Sequence, residues 1–424
     1  MRRLDPVVLP WSAPEVLRWA MRGDGHHSLE GCSQVGTGSR TIVLAGYLVR
    51  FPLGGYVWQV AHYLLGLRAL GHDVWFYEDT DYYAPAYNPL TDEFGPTYDY
   101  GIAAAGRFLE RLGFGKRWGF VDSTRHLAYG PSVGRLKGLI RGADVLLNLG
   151  GVNGVLPERR GGRPAIYIDL DPVYTQIRLA NGDWNLRALL DAHTHLFTFG
   201  ENIGTPRSSV PVSGYTWHPT RQPVVLDLWE NTACPGRAYT TIGTWNAQGR
   251  DLAYQGDTLQ WRKRTEWLRC LDLPARTAAT FEVAMDVESV AGDPALLAAH
   301  GWQVVDPLRV SIDPWRYRDY VRGSRGEFTV AKDMYVRSRS GWFSDRTACY
   351  LAAGRPVAAQ DSGFGDILPL GPGLHAFQTV DQAAEAIRSI EADYQRASAH
   401  ATAVAREYFA AEKVLGKLLQ VAGV

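Results

Sequence analysis

Four cations, Lys332, Arg337, Arg339 and Arg346, crowd fifteen positions of a chain whose charges otherwise balance. Ammonium and guanidinium groups at that density suit a diphosphate, which takes charge-assisted hydrogen bonds from them. Ser340, Trp342 and Ser344 lie in the same run. The Ser344 hydroxyl predicts the cap of a helix running to Ala353, whose first-turn N–H groups would add to an anion site. A solvated loop whose arginines pair with surface acids is the other reading of such a run. A second candidate group is Asp169 and Asp171, which end an apolar stretch and are followed by Pro172. Either carboxylate suits a general base taking a proton from a hydroxyl; Asp171 suits a helix cap before Pro172 equally well. Glu78 and Asp79 form another strand-end acid group, for capping or for facing a ligand. Gly54 and Gly55 precede a helix, where bare backbone and free N–H groups allow either a phosphate cradle or a plain turn. His62 falls mid-helix and reads as packed, not catalytic.

The composition sets bounds on what these residues serve. Lys and Arg number 44, as do Asp and Glu, in 424 residues. That balance offers no uniform cation field of the kind non-specific nucleic-acid binding needs, so nucleic acid is not an expected partner; a local basic cleft is still allowed. With 46% hydrophobic and 21% charged residues the chain is expected to fold. Its 14 Trp and 21 Tyr suit clefts as well as core. Cys32, Cys234, Cys270 and Cys349 contain no C-x-x-C pair, which argues against a disulfide framework or a zinc site and for a reducing cytoplasm. No run approaches the ~18 apolar residues of a membrane span, and Arg2 and Arg3 are not followed by the apolar region of a signal peptide. No spacing suggests metal ligands, so neither a metal nor a cofactor is expected.

Apolar runs of four to seven residues alternate with helical stretches, which predicts parallel sheets buried on both faces. Strands are expected over 41–48, 73–77, 143–149, 165–169 and 195–199, with helices over 56–70, 102–112 and 133–140. Residues 206–235 carry Pro211, Pro219 and Pro223 and read as a connector. A second series has strands over 239–243, 280–285, 302–305, 328–331, 355–359 and 374–377. Its helices fall over 296–300, 314–322 and 344–353, and a helical tail over 381–420 is interrupted near Tyr408 and Phe409. The class is α/β, with two doubly wound domains: an extension over 1–40, a first domain over 41–205, a connector over 206–236, a second domain over 237–405 and a terminal helix over 406–424. Glycines, acids and amides gather after the strands, including Gly150, Asn153, Asp169, Asp171, Asn202, Asp306, Lys332 and Asp361, so an inter-domain cleft is the expected ligand site. Gly150-Gly151-Val152-Asn153-Gly154 lacks the G-x-G-x-x-G spacing, which disfavours a dinucleotide-dependent oxidoreductase. The loop of Tyr82, Tyr83 and Tyr87 would suit a planar or sugar surface, or core.

Two stretches resemble the GT-B glycosyltransferases. Gly54-Gly55, a helix and then Leu70-Gly71-His72-Asp73-Val74 are similar to the opening of their first domain, with Gly55 sixteen residues before Gly71. Ser340-Gly341-Trp342-Phe343-Ser344 through Gly354-Arg355-Pro356-Val357 and Asp361-Ser362-Gly363 look like the donor-binding helix and following strand of the second. The likeness is to a bacterial branch loosely similar to the glycosyltransferase family 4, or group 1, C-terminal domain. It implies two Rossmann-like domains and transfer of a sugar from a nucleotide-diphosphate donor to a small-molecule or glycan acceptor, without a metal. It places the diphosphate at Ser344 and Arg346 backed by Lys332, the base near Asp306, Leu308 and Val310, and the ribose near Asp361 and Ser362, with Gly363 following. Two departures leave the stereochemistry open. Gly341 and Cys349 stand where retaining relatives carry two glutamates, and Tyr56 stands where inverting ones carry a catalytic His. The Arg/Lys pair expected after the first strand of the second domain is replaced by Thr244-Trp245-Asn246. A binder without turnover and a GT-B-fold epimerase or phosphorylase are the alternatives.

Overall fold

The computed structural model describes residues 38–80, 85–151, 153–154, 162–230, 235–247 and 249–424. The extension before residue 38, and Tyr82 and Tyr83 of the aromatic loop, lie outside them.

The first sheet has eight strands in the spatial order Trp217–Pro219, His195–Thr198, Ala165–Asp169, Val145–Leu149, Thr41–Ala45, Asp73–Asp79, Trp118–Asp122 and Leu127–Tyr129. Every pairing is parallel except the last, an antiparallel edge. The second sheet has six parallel strands in the order Trp302–Val305, Thr280–Met285, Ala238–Gly243, Gly326–Thr329, Val357–Gln360 and Leu374–Phe377. Both sheets wind outwards in two directions from their first strand, which is the doubly wound α/β arrangement. The interior strands are continuously apolar because helices cover both faces: Ile42, Val43 and Leu44 are all fully buried, although they point to alternate sides.

Several elements differ from expectation. The strand Trp118–Asp122 is short and interrupted by Gly119, which hides its alternation. Trp217–Pro219 joins the first sheet at its edge, where Pro219 needs no second hydrogen-bonding neighbour. The tail is three helices, Val380–Ala392, Tyr394–Tyr408 and Ala411–Val421, with a break at Asp393 as well as at Phe409. Asp393 ends the first of these and caps the second, accepting from the Arg396 N–H at 3.1 Å.

The domains meet along the helix Gly54–Ala69. Tyr317, on the helix Pro314–Gly323 of the second domain, lies so close that a Cβ on Gly54 would be 2.4 Å from its own Cβ. Trp58 Nε1 donates to the Pro314 carbonyl at 2.6 Å. On the same helix, Gly66 admits Leu415 and Ala411 of the last helix.

Candidate functional site

The second sheet reverses its winding between Ala238–Gly243 and Gly326–Thr329, and ligands of such sheets bind outside the strand carboxyl ends at that point. Three cations converge there. A Cβ on Gly243 would stand 3.6 Å from Arg346 Nη1 and 3.9 Å from Lys263 Nζ, so the bare glycine opens onto both. Arg346 is buried, and its Nε donates to the equally buried Glu327 at 2.6 Å while Nη2 donates to Thr329 Oγ1 at 2.9 Å. Burial opposes its charge, but Glu327 and the Tyr317 phenol outweigh that and hold the guanidinium above its usual range.

Lys263 precedes the helix Arg264–Arg269 and is 8% exposed. Burial pushes its ammonium well below the ordinary lysine range, and the neighbouring Arg346 and Lys332 add to this. No hydrogen bond or ion pair among the described residues engages that ammonium. A buried cation without a counter-ion is costly, and an arriving anion would relieve the cost.

Lys332 completes the cluster and faces the other domain. Its Nζ lies 2.9 Å from the centre of the Trp261 ring, 3.2 Å from Tyr335 Oη and 3.5 Å from Asp171 Oδ1. Burial brings its pKa down to about 8 against the pull of Asp171. Asp171 also meets Arg250 at 3.6 Å and remains 43% exposed. Tyr56, in the first turn of the helix Gly54–Ala69, shares this cleft. Desolvation and the Asp171 carboxylate push its phenol up to about 12, with Arg250 and Asp345 also in range.

Arg346, Lys332 and Asp171 are thus brought together, and the other expected site residues are placed elsewhere. Asp169 turns inward, accepting from Thr175 Oγ1 at 2.7 Å, Gln176 Nε2 at 2.8 Å and Thr198 Oγ1 at 2.9 Å, and burial brings its carboxyl up to about 6. It fixes the loop that presents Asp171 instead of reaching the cleft. Gly54 forms no open phosphate cradle, because Tyr317 fills the space above it, and Gly55 faces the same ring. Arg337 pairs with Asp257 and donates to the Thr258 carbonyl, while Arg339 pairs with Asp366 at 2.7 Å and Asp361 at 3.5 Å. For these two the paired-arginine reading holds.

Ser344 precedes the helix Asp345–Ala352 without capping it, since its hydroxyl turns to Asp345 at 3.4 Å. Asp361 accepts from the Gly363 and Gly365 N–H groups, and Asp306 caps the turn Pro307–Ser311 through the Leu308 N–H at 2.8 Å. Val310 is buried in the core.

Ser340, Trp342, Ser362 and Gly363 form a seam with the loop of Gly200 and Asn202. The Asn202 N–H donates to the Ser340 carbonyl at 3.0 Å, and its Nδ2 donates to the Arg339 and Gly363 carbonyls at 3.1 Å each. Gly341 has φ +79 at this seam, and a Cβ there would come 2.8 Å from the Asn202 nitrogen, so no glutamate fits. Cys349, the second such position, is buried 3.8 Å from His62 Nε2, and burial raises its thiol. His62 is packed between the Val225 N–H at 3.1 Å and Trp229 Nε1 at 3.0 Å, its pKa lowered to about 3 by burial.

Lys263 was not foreseen. A hairpin of Leu252–Tyr254 and Asp257–Leu259 separates it from the strand Ala238–Gly243, so a cation sought just after that strand is missed. The signal available was the run Trp261-Arg262-Lys263-Arg264 immediately before a helix.

No family model and no curated protein sequence matches the chain. Solved structures do match its shape. An alpha-glucosyltransferase in complex with UDP and a 13-mer DNA containing an HMU base matches with a TM-score of 0.58 at 8% identity, over 92% of this chain and 100% of that one. Anabaena HepE in complex with UDP and glucose gives 0.53 at 11% identity, over 91% and 99%. Sucrose-phosphate synthase from Thermosynechococcus elongatus gives 0.52 at 12% identity, over 90% and 98%. DNA in complexes of the first kind overturns the exclusion of nucleic acid drawn from the balanced charge. Net charge is a sum over the whole surface and does not describe any one face. No helix among the described residues is long and apolar enough to cross a membrane. With two doubly wound sheets facing across a cleft, and the same overall shape as these enzymes, the chain has the GT-B fold of glycosyltransferases.

Proposed function

We propose that the protein transfers a glycosyl group from a nucleotide-diphosphate sugar to an acceptor hydroxyl in the inter-domain cleft. The observation that carries this reading is the buried Lys263, with no directly bonded counter-ion, beside Arg346 and Lys332 at the switch point of the second sheet. Three fixed cations there would bind the diphosphate and stabilise the charge that accumulates on it as the glycosidic bond breaks. The positive charge comes from the protein's own side chains. In this reading Asp171, beside Lys332 and half exposed, is the candidate base for the acceptor proton. The sugar transferred and the stereochemistry of transfer are left open.

Calorimetric titration of UDP into the wild type and Lys263→Met tests the donor site. Loss of one charge-assisted contact from a cation that bonds no carboxylate directly is expected to weaken UDP by about 100-fold. Equal affinity in the two proteins would remove Lys263 from the site, and no binding to the wild type would remove the donor reading altogether.

A second reading has a specific observation behind it. Gly341 leaves no room for a carboxylate, and Cys349 supplies none, at the two positions where the resembled retaining enzymes hold theirs. A protein that binds the nucleotide sugar without turning it over would show tight UDP binding, and no release of UDP from any donor offered with or without acceptor.

A further inference from the structure

The short strands Ala86–Asn88 and Glu93–Gly95 form a hairpin over the loop that follows the first strand of the chain's first sheet. That loop is rigidly held. Glu78 accepts the N–H groups of Leu48, Val49 and Arg50 at 2.7, 2.7 and 3.1 Å, and Arg50 Nε donates to it at 3.0 Å. The hairpin is tied to the same loop by the Tyr87 N–H, which donates to the Arg50 carbonyl at 2.9 Å.

On this base the Phe51 ring gathers its neighbours. Its centre lies 5.5 Å from Tyr56, 6.5 Å from Tyr87 with the planes only 18° apart, and 5.5 Å from Phe94; Tyr87 and Phe94 are 5.3 Å apart. Such rings usually pay into a core. Here Phe94 is 53% and Tyr56 46% exposed, and Leu90 at the hairpin turn is exposed as well. Clustered exposed aromatic surface on an otherwise well-buried chain marks a binding face.

Its place decides the occupant. Tyr56 belongs both to this cluster and to the cleft, where its phenol faces Asp171 and Arg250 across from Lys332. The platform is therefore continuous with the proposed donor site on the side opposite the diphosphate cations, where an acceptor would lie. Its chemistry is aromatic faces with polar edges: the Tyr56 and Tyr87 hydroxyls, and the exposed carboxylates of Asp92 and Glu93 at the turn. Arg50, at the base of the group, is buried with Glu78. Electron-rich ring faces accept the C–H face of a pyranose, and hydroxyls and carboxylates at the edge take its O–H groups. We propose that Phe51, Tyr56, Tyr87 and Phe94 form an acceptor subsite that stacks a ring of a neutral glycan. This rests on the proposed function, because that reading makes the cleft a transfer site.

Neutral hexaoses of glucose, xylose, mannose and N-acetylglucosamine, titrated into the full chain with and without UDP, provide the test. At least one hexaose should bind, Phe94→Ala should weaken it by about 5–10-fold, and Phe94→Trp, which keeps a ring face, should restore it. UDP affinity, measured on the same samples, should be equal in the wild type and both variants, so a failed donor site and a failed platform give different results. UDP binding with no hexaose bound would overturn the subsite, as would a hexaose indifferent to Phe94→Ala. A single-stranded 13-mer oligonucleotide that binds in place of the hexaoses and is lost in Phe94→Ala would overturn the glycan assignment. Phe94 is exposed, so these variants are expected to keep the wild-type melting temperature.

Discussion

At the scale of single residues, two lysines in the same crevice are tuned differently. Lys332 retains a carboxylate partner and a pKa of about 8, whereas Lys263 is buried, bonds no carboxylate directly and is pushed well below the ordinary lysine range. For Lys332 the consequence has a definite sign. Its charged form attracts a diphosphate, so UDP affinity should hold below pH 8 and fall by about tenfold as the pH rises to 9.5 and the ammonium deprotonates. Lys332→Arg, whose charge persists through that range, should flatten the profile. A profile identical in the two proteins would show that Lys332 does not contact the ligand. The sequence showed Lys332 and Arg346 as cations in a run but could not separate them from Arg337 and Arg339, because pairing is decided by distant residues. Asp257 and Asp366 neutralise those two, and neither acid can be assigned to them by local pattern. Asp169 and Asp171 show the same limit. Two positions apart on the chain, one is sealed by Thr175, Gln176 and Thr198 and the other opens to the cleft.

At the scale of elements, the helix Gly54–Ala69 joins the domains more than it binds a ligand. Its glycines were legible as a place where something comes close; that the close neighbour is a tyrosine ring from a helix some 260 residues later was not. The two readings predict different failures. Gly54→Ala puts a methyl into Tyr317 and should cost about 1–3 kcal/mol of stability, seen as a lowered melting temperature, with UDP affinity retained in the folded protein. In a Tyr317→Ala background the same Gly54→Ala change should cost less than it does in the wild type, seen as a favourable coupling in a double-mutant cycle. A Gly54→Ala protein of normal stability but weakened UDP binding would instead return the turn to the phosphate. The strands were read well wherever the apolar run was complete: Ala165–Asp169, Thr280–Met285, Trp302–Val305 and Leu374–Phe377 lie where the residues predict them. They were missed where Gly119 or Pro219 interrupts a short strand.

At the scale of the whole molecule, the contacts that hold the domains together among the described residues include the Tyr317 contact, the Asn202 seam, and the last helix packed on the first domain. The seam closes one end of the cleft with hydrogen bonds from a single side chain to two carbonyls of the other domain. Asn202→Ala should therefore loosen that end, raising amide hydrogen exchange around 200–203 and 339–341 while the interior strands of both sheets stay protected. Unchanged exchange in both segments would mean that the seam is held without the Asn202 side chain, by the Asn202 N–H to Ser340 carbonyl bond and by packing. The last helix, Ala411–Val421, lays Ala411 and Leu415 against Gly66 and shares one core with the strands Thr41–Ala45 and Asp73–Asp79. On a ribosome, the first domain therefore emerges with an uncovered apolar face that only the much later helix Ala411–Val421 can close. Its folding has to wait until that helix has been made, or for a chaperone that shields that face until then.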